Sequence, residues 1–203
     1  MTSFPGTDGY AAEAPTLVER YERRSFEEVH DAILHLVPAG GAYVLDIGAG
    51  TGRDAAALAG RGNRVLAVEP TTELRVPAAL RHPSPAISWI DDGLPALAAV
   101  HARGERFDFV LATAVWMHLD EGERARAFGA VAGLIAPGGH WSVTLRRGPV
   151  PAGRRMFHVP AAEMAAQAAE AGLTVVMNRK EPSIGAENLA SGVWWRRLVF
   201  KRA

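Results

Sequence analysis

The chain contains no cysteine, which closes off a disulfide framework, a thiolate nucleophile and a cysteine zinc site. It also lacks net charge. Its 22 Lys and Arg are matched by 22 Asp and Glu, so no global field draws it to nucleic acid or to an anionic membrane surface. Long apolar runs are missing too, none approaching the roughly 20 residues that cross a bilayer. The opening MTSFPGTDGYAAEAP has neither the basic start nor the apolar block of a secretory leader. The seven histidines are scattered outside any ligand spacing, and no metal site is expected. These absences point to a soluble protein compatible with a reducing cytoplasm.

What is present is enough for one substantial core: 203 residues, 48% of them hydrophobic. The expected organisation is a flexible tail over 1–15 and one domain over 16–203. Short apolar runs alternate with alanine-rich amphipathic ones, with glycine or proline at most junctions, the pattern of a parallel sheet covered by helices. An opening helix is predicted over 16–37, with Phe26, Val29, Ile33 and Leu36 on one face. Strands follow over 42–47, 64–68, 86–90 and 107–112, apolar on both faces as buried parallel strands are. Helices are expected over 54–61, 72–80, 95–102 and 120–135. A fifth strand lies within APGGHWSVTLR, then come a helix over 160–171 and strands over 173–177 and 193–201.

Open parallel sheets bind ligands at the carboxyl ends of their strands. Here those ends are polar: Gly48-Ala49-Gly50-Thr51-Gly52, Glu69-Pro70, Asp91-Asp92, Thr113 to His118, Arg146-Arg147 and Asn178-Arg179. The glycine loop lets a ligand approach the main chain and offers it the start of a helix. A phosphate-binding P-loop requires a lysine that is absent. The dinucleotide fingerprint requires a third glycine where Arg53 stands, which argues against a nicotinamide ligand. A purely structural strand-to-helix turn remains open.

VLDIGAGTGRDA resembles the first motif of the class I S-adenosylmethionine (SAM)-dependent methyltransferases, and later segments fall in that family's order. Glu69, closing VLAVEP, matches the acid after the second strand, and Asp91 or Asp92 in ISWIDDGLPAL the acid after the third. FDFVLATAVWMHL resembles the fourth motif and LIAPGGHWSVTL the passage into the fifth strand. The resemblance covers about residues 40–146. It implies a Rossmann-like α/β/α sandwich with a mostly parallel seven-stranded sheet and an antiparallel last strand. It also implies SAM as methyl donor and S-adenosylhomocysteine (SAH) as product. The glycine loop (Gly48, Ala49, Gly50) would lie against the methionine part, with Asp46 orienting it or reaching the amino group. Glu69 would accept from both ribose hydroxyls, and Asp91, favoured over Asp92, from the adenine amine. Arg53, Pro70 and Thr113 join the expected cofactor site, and Tyr21 joins it from a lid helix over 16–37.

Methyl transfer rests on positioning, with a base needed only if the acceptor loses a proton. Were TAVWMHL extended, Trp116 and His118 would point the same way. Trp116 would then stack on a planar substrate and His118 take a proton. Arg146, Arg147 and Arg154 follow the fifth strand, where arginine forks suit an anionic acceptor. No Asp/Asn-Pro-Pro-aromatic segment follows the fourth strand and no basic tail is present, so a small molecule is favoured over nucleic acid. A non-catalytic SAM-binding or sensor protein is the alternative, and a nicotinamide oxidoreductase the third. Neither the acceptor nor the oligomeric state is named by any residue pattern.

Overall fold

The computed structural model describes residues 4–203. Seven strands form one sheet in the order β3-β2-β1-β4-β5-β7-β6. They are β1 Tyr43–Ile47, β2 Arg64–Val68, β3 Ile87–Ile90, β4 Phe107–Ala112, β5 Ile135–Arg147, β6 Leu173–Pro182 and β7 Trp194–Arg202. The first five pair in parallel, and β7 runs antiparallel between β5 and β6. This is the expected Rossmann-like sheet with an antiparallel last strand. Strand order reverses between β1 and β4, where such sheets open a crevice.

The parallel strands are apolar on both faces because helices cover both. On one face Trp141, Phe128, Trp116 and Phe200 form an aromatic cluster with ring centroids 5.0–6.4 Å apart, under α6 (Glu121–Leu134) and α7 (Ala161–Glu170). On the other face Phe26, Ile33, Leu58, Phe109 and Val199 pack together, bringing α3 (Arg53–Gly60) and the N-terminal segments onto the sheet. The crossover segments are completed by α4 (Thr72–Arg81) and α5 (Ala98–His101).

The opening helix departs from expectation. Of the expected tail, residues 1–3 lie outside the described residues, and helix α1 (Tyr10–Glu22) already occupies its last six positions. The predicted helix over 16–37 is broken in the middle. Ser25 caps a new helix, α2 (Phe26–His30), accepting from the Glu28 N–H at 3.1 Å while Glu28 accepts from the Ser25 N–H at 2.8 Å. That reciprocal capping box satisfies two otherwise orphaned donors and so favours a break over a continuous helix. A 3₁₀ turn, Asp31–Leu36, completes the segment. Strand β6 runs five residues past its expected end at 177, forming a long hairpin with β7, and the short helix α8 (Ala186–Ala190) sits in its connection.

Candidate functional site

The carboxyl ends of β1, β2, β4 and β5 border a cavity of about 920 Å³, near the top of the range for small-molecule sites. Its floor is the loop after β1. Gly48 and Gly50 have φ of 71° and 56°, left-handed values that side chains disfavour. A Cβ on Gly48 would stand 2.3 Å from Val115 Cγ1, so the loop after β4 also demands glycine there. The N–H groups of Gly48 and Ala49 both donate to the Val68 carbonyl, at 2.8 and 2.9 Å. The loop is thereby held to the end of β2.

Two carboxylates face this floor. Glu69 is buried and accepts from the Gly50 N–H at 2.9 Å and the Thr71 N–H at 2.8 Å. Burial raises its pKa, and those N–H groups oppose the rise. Asp46 is buried with its Oδ2 unpartnered among the described residues. Its pKa is driven well up by burial first and then by Asp54, against the pull of Arg53. A buried carboxylate oxygen without a donor is costly, and Asp46 is among the residues that line the cavity.

Pro70, Thr113 and Tyr21 border it as well. The Thr113 hydroxyl is buried and unpartnered among the described residues. Arg53 lines the wall but is engaged: its Nε donates to Asp54 at 2.7 Å and its guanidinium to the Tyr21 carbonyl at 3.3 Å. Neither acid after β3 lines the cavity. Asp92 is buried and accepts from the N–H groups of Gly93 and Val100 at 2.8 and 2.9 Å. Asp91 is exposed and paired with Arg75 at 3.0 Å. The wall there is formed instead by Gly93 and Leu94.

Beyond β4 the expected extended segment is a 3₁₀ turn, Trp116–His118, whose tighter period separates two side chains that alternation would align. Trp116 is therefore corrected from substrate platform to core. It is fully buried in the aromatic cluster, 5.1 Å from the Trp141 ring. His118 faces the cavity. Its Nδ1 lies 2.8 Å from the Arg155 carbonyl and its Nε2 3.0 Å from the Tyr10 hydroxyl. A carbonyl only accepts, so Nδ1 carries the proton and Nε2 accepts from Tyr10. Burial lowers the His118 pKa, and Arg154 and Arg155 lower it further, against the Arg155 carbonyl bond. Burial likewise pushes the Tyr10 phenol well above its ordinary value.

The three arginines expected at the acceptor end divide. Arg146 lines the cavity, one guanidinium N–H donating to the Pro149 carbonyl. Arg154 lines it too, but is spent on α1 and the turn before it: it donates to the Asp8 carbonyl at 2.8 Å and Glu13 at 2.7 Å, and lies 4.0 Å from the Tyr10 ring centroid. Arg147 is corrected out of the site. Pleating turns it to the opposite sheet face, where it lies over Trp194 and donates to the Val159 carbonyl.

Several residues in or behind the cavity wall carry no local sequence signal. Tyr10 lies in the presumed tail. His30 is fully buried, its Nε2 2.8 Å from Asp54 and its Nδ1 3.3 Å from the Arg197 guanidinium. Arg197 also holds Glu181 at 3.0 Å and the Val29 carbonyl at 2.9 Å. This network ties α2 to α3 and to the β6–β7 hairpin. Only Asp54, adjacent to the loop motif, was within reach of sequence reasoning.

Residues 44–139 match a family model described as a methyltransferase domain. Over 129 residues the chain is 33% identical to an uncharacterised methyltransferase of Mycobacterium tuberculosis, a match covering 60% of this chain and 47% of that protein. The match thus spans about half the length of that relative. Among solved structures, the 1,6-didemethyltoxoflavin-N1-methyltransferase of Burkholderia thailandensis superposes with a TM-score of 0.69 at 21% identity, over 96% of this chain and 85% of its own. The N-methyltransferase NodS of Bradyrhizobium japonicum gives 0.68 at 19%, over 94% and 98%. The [4+2]-cyclase SpnF gives 0.68 at 17%, over 95% and 93%. At these identities the likeness is one of fold, and the cyclase illustrates that the fold alone does not name a reaction.

Proposed function

We propose that the chain, whose residues 44–139 match a methyltransferase-domain model, is a class I SAM-dependent methyltransferase that transfers the methyl group of SAM to a small-molecule acceptor that gives up a proton. The observation that carries this reading is the pair of carboxylates, Asp46 and Glu69, facing the glycine floor of the cavity. The residues fit the donor. The unpartnered Asp46 oxygen suits its ammonium group. Both Glu69 oxygens already accept one N–H, and each retains a lone pair for a ribose hydroxyl. Adenine would lie along Gly93 and Leu94, and α1 would cover the donor as a lid through Tyr21. SAM, when bound, supplies a sulfonium methyl with a neutral leaving group.

Catalysis by this chain is then alignment of the acceptor for in-line attack, with a short path for the proton. As the acceptor atom is methylated, its proton passes to Tyr10 Oη while the Tyr10 proton passes to His118 Nε2. The chain Tyr10–His118–Arg155 carbonyl is already oriented for this transfer.

The non-catalytic alternative draws on the N-terminal segment lying across the cavity: a Cβ on Gly6 would stand 2.3 Å from His118 Cβ, and one on Gly93 would stand 2.8 Å from the Phe4 ring. Calorimetry with SAM, SAH and NAD, followed by incubation of methyl-labelled SAM with a metabolite extract, tests both readings. Binding of SAM with label appearing in a small molecule is the expected result. Binding without transfer favours the alternative, and binding of NAD alone overturns both.

A further inference from the structure

The cavity extends past the donor-binding floor to a second wall that belongs to the antiparallel half of the sheet. Two adjacent cross-strand rows supply it. Arg146 of β5 pairs with Trp195 of β7, which pairs with Glu181 of β6; two positions along, Thr144 pairs with Arg197 and Arg197 with Arg179. Directly opposed residues project from the same face of a sheet, and diagonal neighbours lie within reach of long side chains. All six border the cavity.

The charges on this wall do not cancel. Arg197 holds Glu181 at 3.0 Å. Arg146 and Arg179 also line the cavity, yet neither is in an ion pair among the described residues, whereas the neighbouring Arg53 and Arg154 each hold a carboxylate at 2.7 Å. Burial acts against the charge on Arg146, and the Tyr10 hydroxyl is close enough to act on it electrostatically. Between the two free cations stands the half-buried Trp195. A partly desolvated guanidinium without a counterion is an expensive feature, and a ligand anion would offset that cost.

We infer that this wall is the acceptor subsite and takes a planar aromatic carboxylate. The ring would lie on the Trp195 indole, and the carboxylate would meet the Arg146 guanidinium, whose planar fork matches it in two parallel hydrogen bonds, with Arg179 adding charge from the next row. The ring's methyl-accepting substituent is then directed toward Tyr10, which lines the same cavity. Among the described residues the cavity offers this anion no lysine, so recognition rests on shape as well as on charge. The inference rests on the methyltransferase reading for the identity of the other half of the cavity, but its recognition chemistry is independent of transfer.

Calorimetry on the SAH-saturated protein tests it with 4-hydroxybenzoate, 2-hydroxybenzoate and indole-3-carboxylate, each against its neutral carboxamide, and with cyclohexanecarboxylate as the non-planar anion. At least one aromatic acid is expected to bind, at least tenfold more tightly than its amide and than the alicyclic acid. Arg146→Ala and Trp195→Ala are expected to weaken it tenfold or more while SAH affinity stays within twofold. Trp195→Phe, which keeps a ring and checks that loss does not come from misfolding, should restore most of it. Equal binding of acid and amide, insensitivity to Arg146→Ala, or absence of binding by every acid to SAH-loaded protein overturns the subsite and leaves the methyltransferase reading intact. Failure of SAH itself to bind overturns that reading instead.

Discussion

At the scale of single residues, the site is decided by where protons and lone pairs are left. His118 has one nitrogen committed to a carbonyl and the other to a phenol. In the proposed transfer this arrangement gives it the part of a base that works through Tyr10 more than that of a direct partner of the acceptor. With transfer measured under saturating SAM, His118→Gln and Tyr10→Phe are each expected to lower the rate by about a hundredfold or more, with SAH affinity nearly unchanged. The pH profile carries a signature. Burial together with Arg154 and Arg155 holds the His118 pKa below its usual 6.5, so the ring stays neutral into mildly acidic solution. The acid limb of the rate should therefore be centred below pH 6.5, and a limb centred above that value would remove His118 as the base. The groups facing it are Tyr10, Arg154 and Arg155, and none supplies a carboxylate to raise it.

Asp46 makes the opposite case. Its pKa is raised in the folded state, chiefly by burial. Stability from this group is thus complete below the unfolded carboxylate pKa and is lost as pH rises through the folded value. Asp46→Asn imitates the protonated form. Thermal melts without ligand should show the variant more stable than the parent at pH 7, with the difference closing in acid, while calorimetry shows weaker SAH binding. A variant that melts lower at pH 7 and binds SAH normally would place Asp46 outside the site.

At the scale of elements, the N-terminal helices are held by polar bonds as well as by apolar burial. His30, on α2, bridges Asp54 on α3 and Arg197 on β7. Burial pushes the Asp54 pKa up, but His30 and Arg53 outweigh it and hold the carboxyl well below its ordinary range. The stability Asp54 contributes is present above the unfolded pKa and is lost only as pH falls through that depressed value. Removing the bridge leaves two buried charges short of a partner, and His30→Ala should cost about 3 kcal/mol or more in urea unfolding. The same variant should shift acid unfolding to higher pH. An unchanged midpoint would mean that the network contributes nothing net.

At the scale of the whole molecule, the cavity joins the N-terminal segments to both halves of the sheet, so its ligand should stabilise all of them together. SAH at one hundred times its dissociation constant is expected to raise unfolding free energy by about 2.7 kcal/mol. Hydrogen exchange should slow in α1 and α2 as well as in the glycine loop. Protection confined to the loop would show that the N-terminal segments do not close over the donor.

Strand positions were legible because a strand buried on both faces is written as a continuous apolar run, and the glycine loop because φ above zero restricts residue type. The break at Ser25 was legible as well, since Ser-Phe-Glu-Glu is a capping signature, but the apolar periodicity running through it concealed the cap. By itself, then, the sequence determined the sheet, the loop after β1 and the acid Glu69, all features with a local cause. Only the tertiary structure decided that Trp116 belongs to the core, that Arg147 faces away, that Asp91 and Asp92 are already engaged, that Tyr10, Trp195 and Arg197 come to the cavity from distant parts of the chain, and that His30 joins Asp54 to Arg197 behind it. Those outcomes depend on which face of a turn or strand meets which neighbour, and a neighbour more than a hundred residues away leaves no trace in local periodicity.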